Sequence, residues 1–381
     1  MERLPKWADV ALVPLISLLF AAVISAIVIL AIGKDPVEAL NTMVTGALGS
    51  AYGWGYTLYY TTSFIFTGLA VTVAFHAGLF NIGGEGQAQL GGLGVALVCL
   101  ALPWPHWTVA LLAASLGAAA FGAAWAAIPA YLQAKRGSHI VITTIMFNYI
   151  GAALIVYMLV DVLRPAGQMD PASARFPEGA KLPSLNEMPV LKEFFLRLNA
   201  DGTPKLSKAG EAMYTGVPAN VTLFIALLAC VAVWALLWHT RLGFQIRAFG
   251  KSEKASRYAG INPVRITMIS MLISGGLAGM MAINNVMGES ERLLQNSAEG
   301  AGFIGIAVAL MGRNHPIGVF LAALLFGFLY QGGAALGMNT TIPLEMRIVL
   351  QGLVILFTGA LDQMVRMLLG RAFALTGMRA A

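Results

Sequence analysis

Stretches of about twenty consecutive apolar residues recur along almost the whole chain, and no other feature constrains its folding so tightly. A helix rises about 1.5 Å per residue, so roughly 20 residues cross the roughly 30 Å hydrocarbon layer of a bilayer. Ten such stretches are read, near 10–32, 57–78, 86–102, 107–133, 140–160, 219–239, 264–287, 302–312, 316–336 and 343–362, the eighth too short to span unaided. Only 11% of residues are charged, against about 25% in a soluble domain. The prediction is an all-α, multi-pass membrane protein of about ten transmembrane helices.

Charge placement orients the spans. The interval 241–265 holds Arg241, Arg247, Lys251, Lys254, Arg257 and Arg265 against the single acid Glu253. The interval 161–218 carries seven bases and seven acids, and 288–300 has Glu289, Glu291 and Glu299 against Arg292. Positive-inside logic puts 241–265 in the cytoplasm together with both termini, marked by Arg3, Lys6, Arg366, Arg371 and Arg379. This also accounts for the net charge of +6 without a nucleic-acid partner, which would need a basic face on a soluble element. The first apolar run exceeds the 7 to about 15 residues of a signal-peptide core and is expected to stay as an anchor. Cys99 and Cys230 fall inside apolar stretches without metal-ligand spacing.

A single transmembrane domain over 1–381 follows. It has an N-terminal helix and external loop (1–56), a first repeat (57–161), an external loop (162–218), a linking helix with a cytoplasmic loop (219–263), a second repeat (264–362) and a cytoplasmic tail (363–381). The two repeats are similar in length and are entered from opposite faces, the layout of inverted halves. Each half contains a Gly-broken element, 77–94 in the first and 300–318 in the second, where transporter folds place substrate contacts. The first is expected not to form a uniform helix, because each glycine costs about 1 kcal/mol there. The alternative is that these small residues serve close helix packing.

Glu85 is the only acid well inside the first half. A carboxylate near the bilayer centre costs at least about 3 kcal/mol unless paired or wet. Three readings are open: a helix cap or inter-helix hydrogen bond, a place on the substrate path, or a position at the cytoplasmic interface. Asn81, Gln87, Asn148, Asn284 and Asn285 are polar groups available to a ligand or to neighbouring helices, and Phe80 offers an aromatic face beside the break. The tyrosines of 52–60 sit where an aromatic belt is ordinary. Phosphate-loop and HExxH patterns are absent and the five histidines are scattered. In 241–265, residues 248–259 are expected to form one short helix ending at Gly260 and Pro263. On composition alone this interval is equally a basic solvated linker.

The run Gly250–Ile261 resembles the cytoplasmic coupling segment of ATP-binding-cassette (ABC) importer permeases of the branched-chain amino acid, simple sugar and nucleoside group. Phe80–Gln87, Thr143–Asn148, and Gly302–Gly312 followed by Asn314-His315-Pro316 are similar to the same group, closest to its nucleoside branch. The resemblance implies a permease of the bacterial inner membrane, without catalytic activity, that takes up nucleosides delivered by an external lipoprotein. It implies a cytoplasmic ABC ATPase that binds ATP and Mg, a second and shorter permease, and no cofactor on this chain. Its coupling contacts are expected at Gly250, Lys251, Glu253, Ala255, Tyr258 and Gly260. Phe80, Asn81, Glu85, Gln87, Asn148 and Asn284 are expected on the substrate pathway. The usual coupling segment has paired alanines where this chain has Ala255-Ser256. Riboflavin or a simple sugar such as ribose is the alternative cargo, and an ion-coupled carrier with Glu85 as proton site is the alternative mechanism.

Overall fold

The computed structural model describes residues 12–199, 203–207, 211–339, 342, 346–357, 364, 365, 367 and 369. Arg3, Lys6, Arg366, Arg371 and Arg379, used above for topology, lie outside the described residues. The chain forms α1 (Val13–Ala31), α2 (Pro36–Leu48), α3 (Ala51–His76), α4 (Gly84–Ala101), α5 (Trp107–Arg136), α6 (Ile140–Tyr157), α7 (Thr222–His239), α8 (Arg241–Lys251), α9 (Glu253–Tyr258), α10 (Pro263–Met280), α11 (Ala301–Met311), α12 (Pro316–Asn339) and α13 (Met346–Ile355). Extended pairing among the described residues is confined to isolated bridges.

Among the described residues seven helices, α1, α3, α5, α6, α7, α10 and α12, are long and apolar enough to cross a membrane. The chain is a multi-pass, all-α membrane protein. Helices occupy all ten expected positions, but α11 has only 11 residues and α13 only 10 among those described. Amphipathic α2 was not expected, although its start is written plainly: Asp35 accepts a hydrogen bond from Val37 N and Pro36 occupies the first turn.

The chain divides into two units, 1–53 with 328–381, and 54–327. In the first, α1 shows Leu15, Leu19 and Ile27 outward and stacks Phe20 on Phe357 at 6.2 Å between ring centres. Gly46 of α2 lies so close to Ala335 of α12 that a Cβ there would sit 2.2 Å from the alanine methyl.

The second unit is built round α4, α5 and α10. Glycines let the three backbones approach: a Cβ on Gly91 would lie 2.4 Å from Gly279 O, and one on Gly122 2.3 Å from Gly275 O. Residues 84–96 of α4 are buried on every side. This corrects the expectation of a broken element over 77–94, since only 77–83 is irregular and glycines 84–94 are helical. Close contact offsets their poor propensity. Beyond α10, residues Ile283–Glu289 widen into a π-helix that turns both Asn284 and Asn285 inward. The loop after α6 is irregular and is fastened to 291–294 through Ser173 N to Leu293 O (3.0 Å) and Phe176 N to Glu291 O (2.8 Å). Lys181 stands between Glu178 (2.8 Å) and Glu291 (3.6 Å), and the Glu178 hydrogen bond raises its pKa above the ordinary lysine value. In the apolar patch 194–196, Phe195 is buried and Phe194 exposed.

Candidate functional site

The irregular link 77–83 delivers the chain into α4, and its polar groups are satisfied internally. Asn81 donates to Gln87 Oε1 (2.9 Å) and Ser274 Oγ (2.9 Å), and accepts from Gly83 N (3.0 Å) and Gln87 Nε2 (3.1 Å). Ser274 in turn donates to Ala70 O (2.6 Å), so one knot joins α3, α4 and α10. Asn148 of α6 acts as a cap for α4, accepting from Gly86 N (2.9 Å) and donating to Ile82 O (2.9 Å). Buried amides left unpaired would each cost about 1–3 kcal/mol, and these pairings remove that cost.

Glu85, in the first turn of α4, extends its carboxylate to the start of α11. Oε1 accepts from Gly300 N and Oε2 from Gly302 N, both at 2.9 Å. An anion there meets two otherwise orphaned amides and the positive end of the helix dipole. Glu85 is 6% exposed and, of the readings left open by the sequence, it makes the hydrogen bonds of a helix cap. Only glycine fits at 302, because a Cβ would lie 2.2 Å from Glu85 N.

A second knot lies further along α3. Asn284 donates to Tyr59 O (3.0 Å) and Ser63 Oγ (2.9 Å), and accepts from Thr222 Oγ1 (2.9 Å) and Asn220 Nδ2 (3.2 Å). Asn285 accepts from Ser63 Oγ (2.7 Å) and donates to Ser297 O (3.1 Å). Ser63, Asn220, Thr222 and Ser274 were missed from sequence. A signal existed in α3, where Thr57 and Thr61, and again Ser63 and Thr67, are polar pairs at i, i+4 spacing in an apolar helix. Half-buried Phe80 packs on Phe75 at 5.1 Å.

The segment 241–265 is built differently. Helix does not run through 248–259 as expected: α8 ends at Lys251, Ser252 turns extended and caps α9 by accepting from Ala255 N, and Gly260 ends α9 at φ +77. A serine that caps the following helix has to leave the preceding one. Along α8, Gly243, Ile246 and Phe249 face inward. In α9 only Ser256 is buried, and Tyr258 is 96% exposed. Glu253, Ala255 and Lys251 are also exposed, with Glu253 paired to Arg257 at 2.5 Å.

One glycine connects the two regions. A Cβ on Gly250 would lie 2.2 Å from His76 O and 2.8 Å from Gly78 N, so α8 presses directly on the link that leads into α4. Beside this contact is a cleft of about 850 Å³ bordered by Gln133, Phe249, Lys251, Glu253, Arg257 and Asn262. None of the six predicted pathway residues lines it.

The fold and site define a multi-pass helical membrane protein in which α8 bears on the interior of the bundle and the short α9 beside it is exposed. The model of the branched-chain amino acid transport system permease component matches residues 53–359, and the chain belongs to that family. It is 33% identical to the guanosine ABC transporter permease protein NupP of Bacillus subtilis, over 94% of this chain and 96% of the relative. With the nucleoside ABC transporter permease protein NupB of Lactococcus lactis it shares 34% over 97% and 96%. With the glucose ABC transporter permease protein TsgB13 of Haloferax volcanii the figures are 32% over 98% and 93%. No solved structure matches the chain.

Proposed function

We propose that this chain is the membrane-spanning permease of an ABC importer that takes up nucleosides. The observation that carries the reading is near-full-length likeness to two permeases whose names specify guanosine and nucleosides. Transport is powered by a separate cytoplasmic ATPase that docks on α9 and the end of α8, with 241–265 and both termini on the cytoplasmic side of the inner membrane. A shorter second permease completes the pore, and an external lipoprotein delivers the cargo. Relatives named as permeases in the same two species as NupP and NupB match only about 71% of this chain, which supports an unequal pair.

The proposed stroke runs from the ATPase to Gly250, from Gly250 to the link 77–83, and from Glu85 across to α11. Phe80, Asn81, Glu85, Gln87, Asn148 and Asn284 border the substrate path when these knots open, and they fasten it shut in the present arrangement. The two repeats rock against each other around that path.

The test is ATP-dependent uptake of labelled guanosine by the complex reconstituted in proteoliposomes, with unlabelled nucleosides, riboflavin, ribose and glucose as competitors. Competition by nucleosides alone is expected. Competition by sugars alone would replace the cargo with a hexose or pentose, the reading favoured by the glucose permease relative. Gradient-driven flux through this chain without ATPase or binding protein would replace the importer with a carrier.

A further inference from the structure

A smaller cavity, away from the knots and sharing only Gly250 and Lys251 with the 850 Å³ cleft, opens where α3, α7, α8 and the turn between α11 and α12 meet. It is an open cavity of about 380 Å³ lined by His76, Trp238, Arg247, Lys251, Arg313 and Asn314 together with Phe75 and Gly250. Three of these side chains are permanent cations, and no lining residue is a carboxylate. Neither Arg247 nor Lys251 is ion-paired among the described residues.

The cavity is assembled with some care. The Arg247 guanidinium lies 5.9 Å from the centre of the Trp238 ring, which orients it, yet its buried Nε–H has no hydrogen-bond partner. Asn314 Oδ1 is buried without a partner too, and a half-turn of that amide presents its NH₂ instead. Two imidazoles pack against Trp238, His76 at 5.3 Å and His315 at 5.0 Å between ring centres. Arg313 and Asn314 both sit at φ 53, in the left-handed region that non-glycine residues adopt only when their surroundings impose it. A buried Arg247 donor with no acceptor, set among cations in a lining without a carboxylate, suits a group with several anionic oxygens.

We propose that this cavity binds a phosphate group. Its position at the end of the spanning helix α7, beside the aromatic pair Trp234 and Trp238, sets it at headgroup depth. A phospholipid headgroup and a soluble phosphate supply the same oxygens, and Arg247 is the principal contact for either, its planar fork suiting bidentate binding. Gly250 is part of the same wall, so an occupied cavity braces α8 against the end of α3.

The experiment uses the full chain in nanodiscs and reads its thermal unfolding midpoint. One arm compares discs of pure phosphatidylcholine with discs doped with phosphatidylglycerol. The other titrates sodium phosphate into phosphatidylcholine discs against sodium chloride of equal ionic strength. A rise with phosphatidylglycerol alone assigns the cavity to a lipid headgroup; a rise with inorganic phosphate assigns it to a soluble anion. Either rise should need about tenfold more ligand in Arg247→Gln, the size expected for one lost charge-assisted hydrogen bond, and much less extra in Arg247→Lys. Lys251→Gln, at an exposed position, gives the same reading should Arg247→Gln fail to yield a monodisperse protein. No rise in either arm, or equal rises in wild type and both glutamine variants, would overturn the proposal.

Discussion

The glycine-rich interior around Glu85 and the segment 241–265 are both polar interruptions of an apolar chain, yet their polar groups have opposite fates. Around Glu85 the side chains of Asn81, Gln87 and Asn148 are buried and committed to one another or to backbone. In α9 the side chains are exposed, and the one buried hydroxyl, on Ser256, turns back to Glu253 O at 2.8 Å. The difference separates holding from receiving. Inside a bilayer an unpaired polar group finds no water, and Asn81, Gln87 and Asn148 find their partners within the chain. A surface helix has water as its default partner and is free to exchange it for a protein.

Substitutions that break the interior should therefore act on stability, and those on α9 on transport alone. The largest effect is expected for Gly302→Leu, whose side chain would meet the Glu85 backbone. A loss near the top of the single-substitution range, ~4 kcal/mol, should appear as little or no monodisperse protein in size-exclusion chromatography. Next, Glu85→Ala leaves Gly300 N and Gly302 N without their acceptor, for about 2–4 kcal/mol, and Glu85→Gln should recover part of this in a melting experiment. A Glu85→Ala protein as stable as wild type would remove the cap from the account. Gly250→Ala tests the link between the regions. The methyl meets His76 O, a backbone obstacle worth about 1–3 kcal/mol, and uptake should fall further than the melting shift explains. The smallest change in stability, within about 0.5 kcal/mol, is expected for Tyr258→Asp, with ATP hydrolysis no longer tied to uptake. Coupled uptake at the wild-type rate in that variant would move the docking surface elsewhere.

The sequence marks the helices because burial in lipid needs long apolar runs, and it marks the Glu85 cap because a lone interior acid must find donors. What it hides has local causes. Ser252 reads as an ordinary position within 248–259, and only its cap on Ala255 N splits the helix there. Asn81 and Gln87 look like groups offered to a ligand, because nothing in their spacing says that each is the other's partner. The continuity of α4 through glycines 84–94 depends on backbones of α5, α10 and α11 that arrive from far along the chain. Amphipathic α2 is marked by Asp35-Pro36 at its start, but at 13 residues it is too short to stand out as a span.

The π-helix at 283–289 carries one residue more per turn than its neighbours, and this makes its register a countable quantity. Dropping that residue would swing everything on one side of the turn by about 100° and advance it by about 1.5 Å. Asn284 and Asn285 already offer their amides to the same Ser63 hydroxyl, so adjacent register positions share a single notch. For a helix indexed in this way a push arriving from far away would, like a push on an escapement, either advance it by one tooth or leave it where it stood.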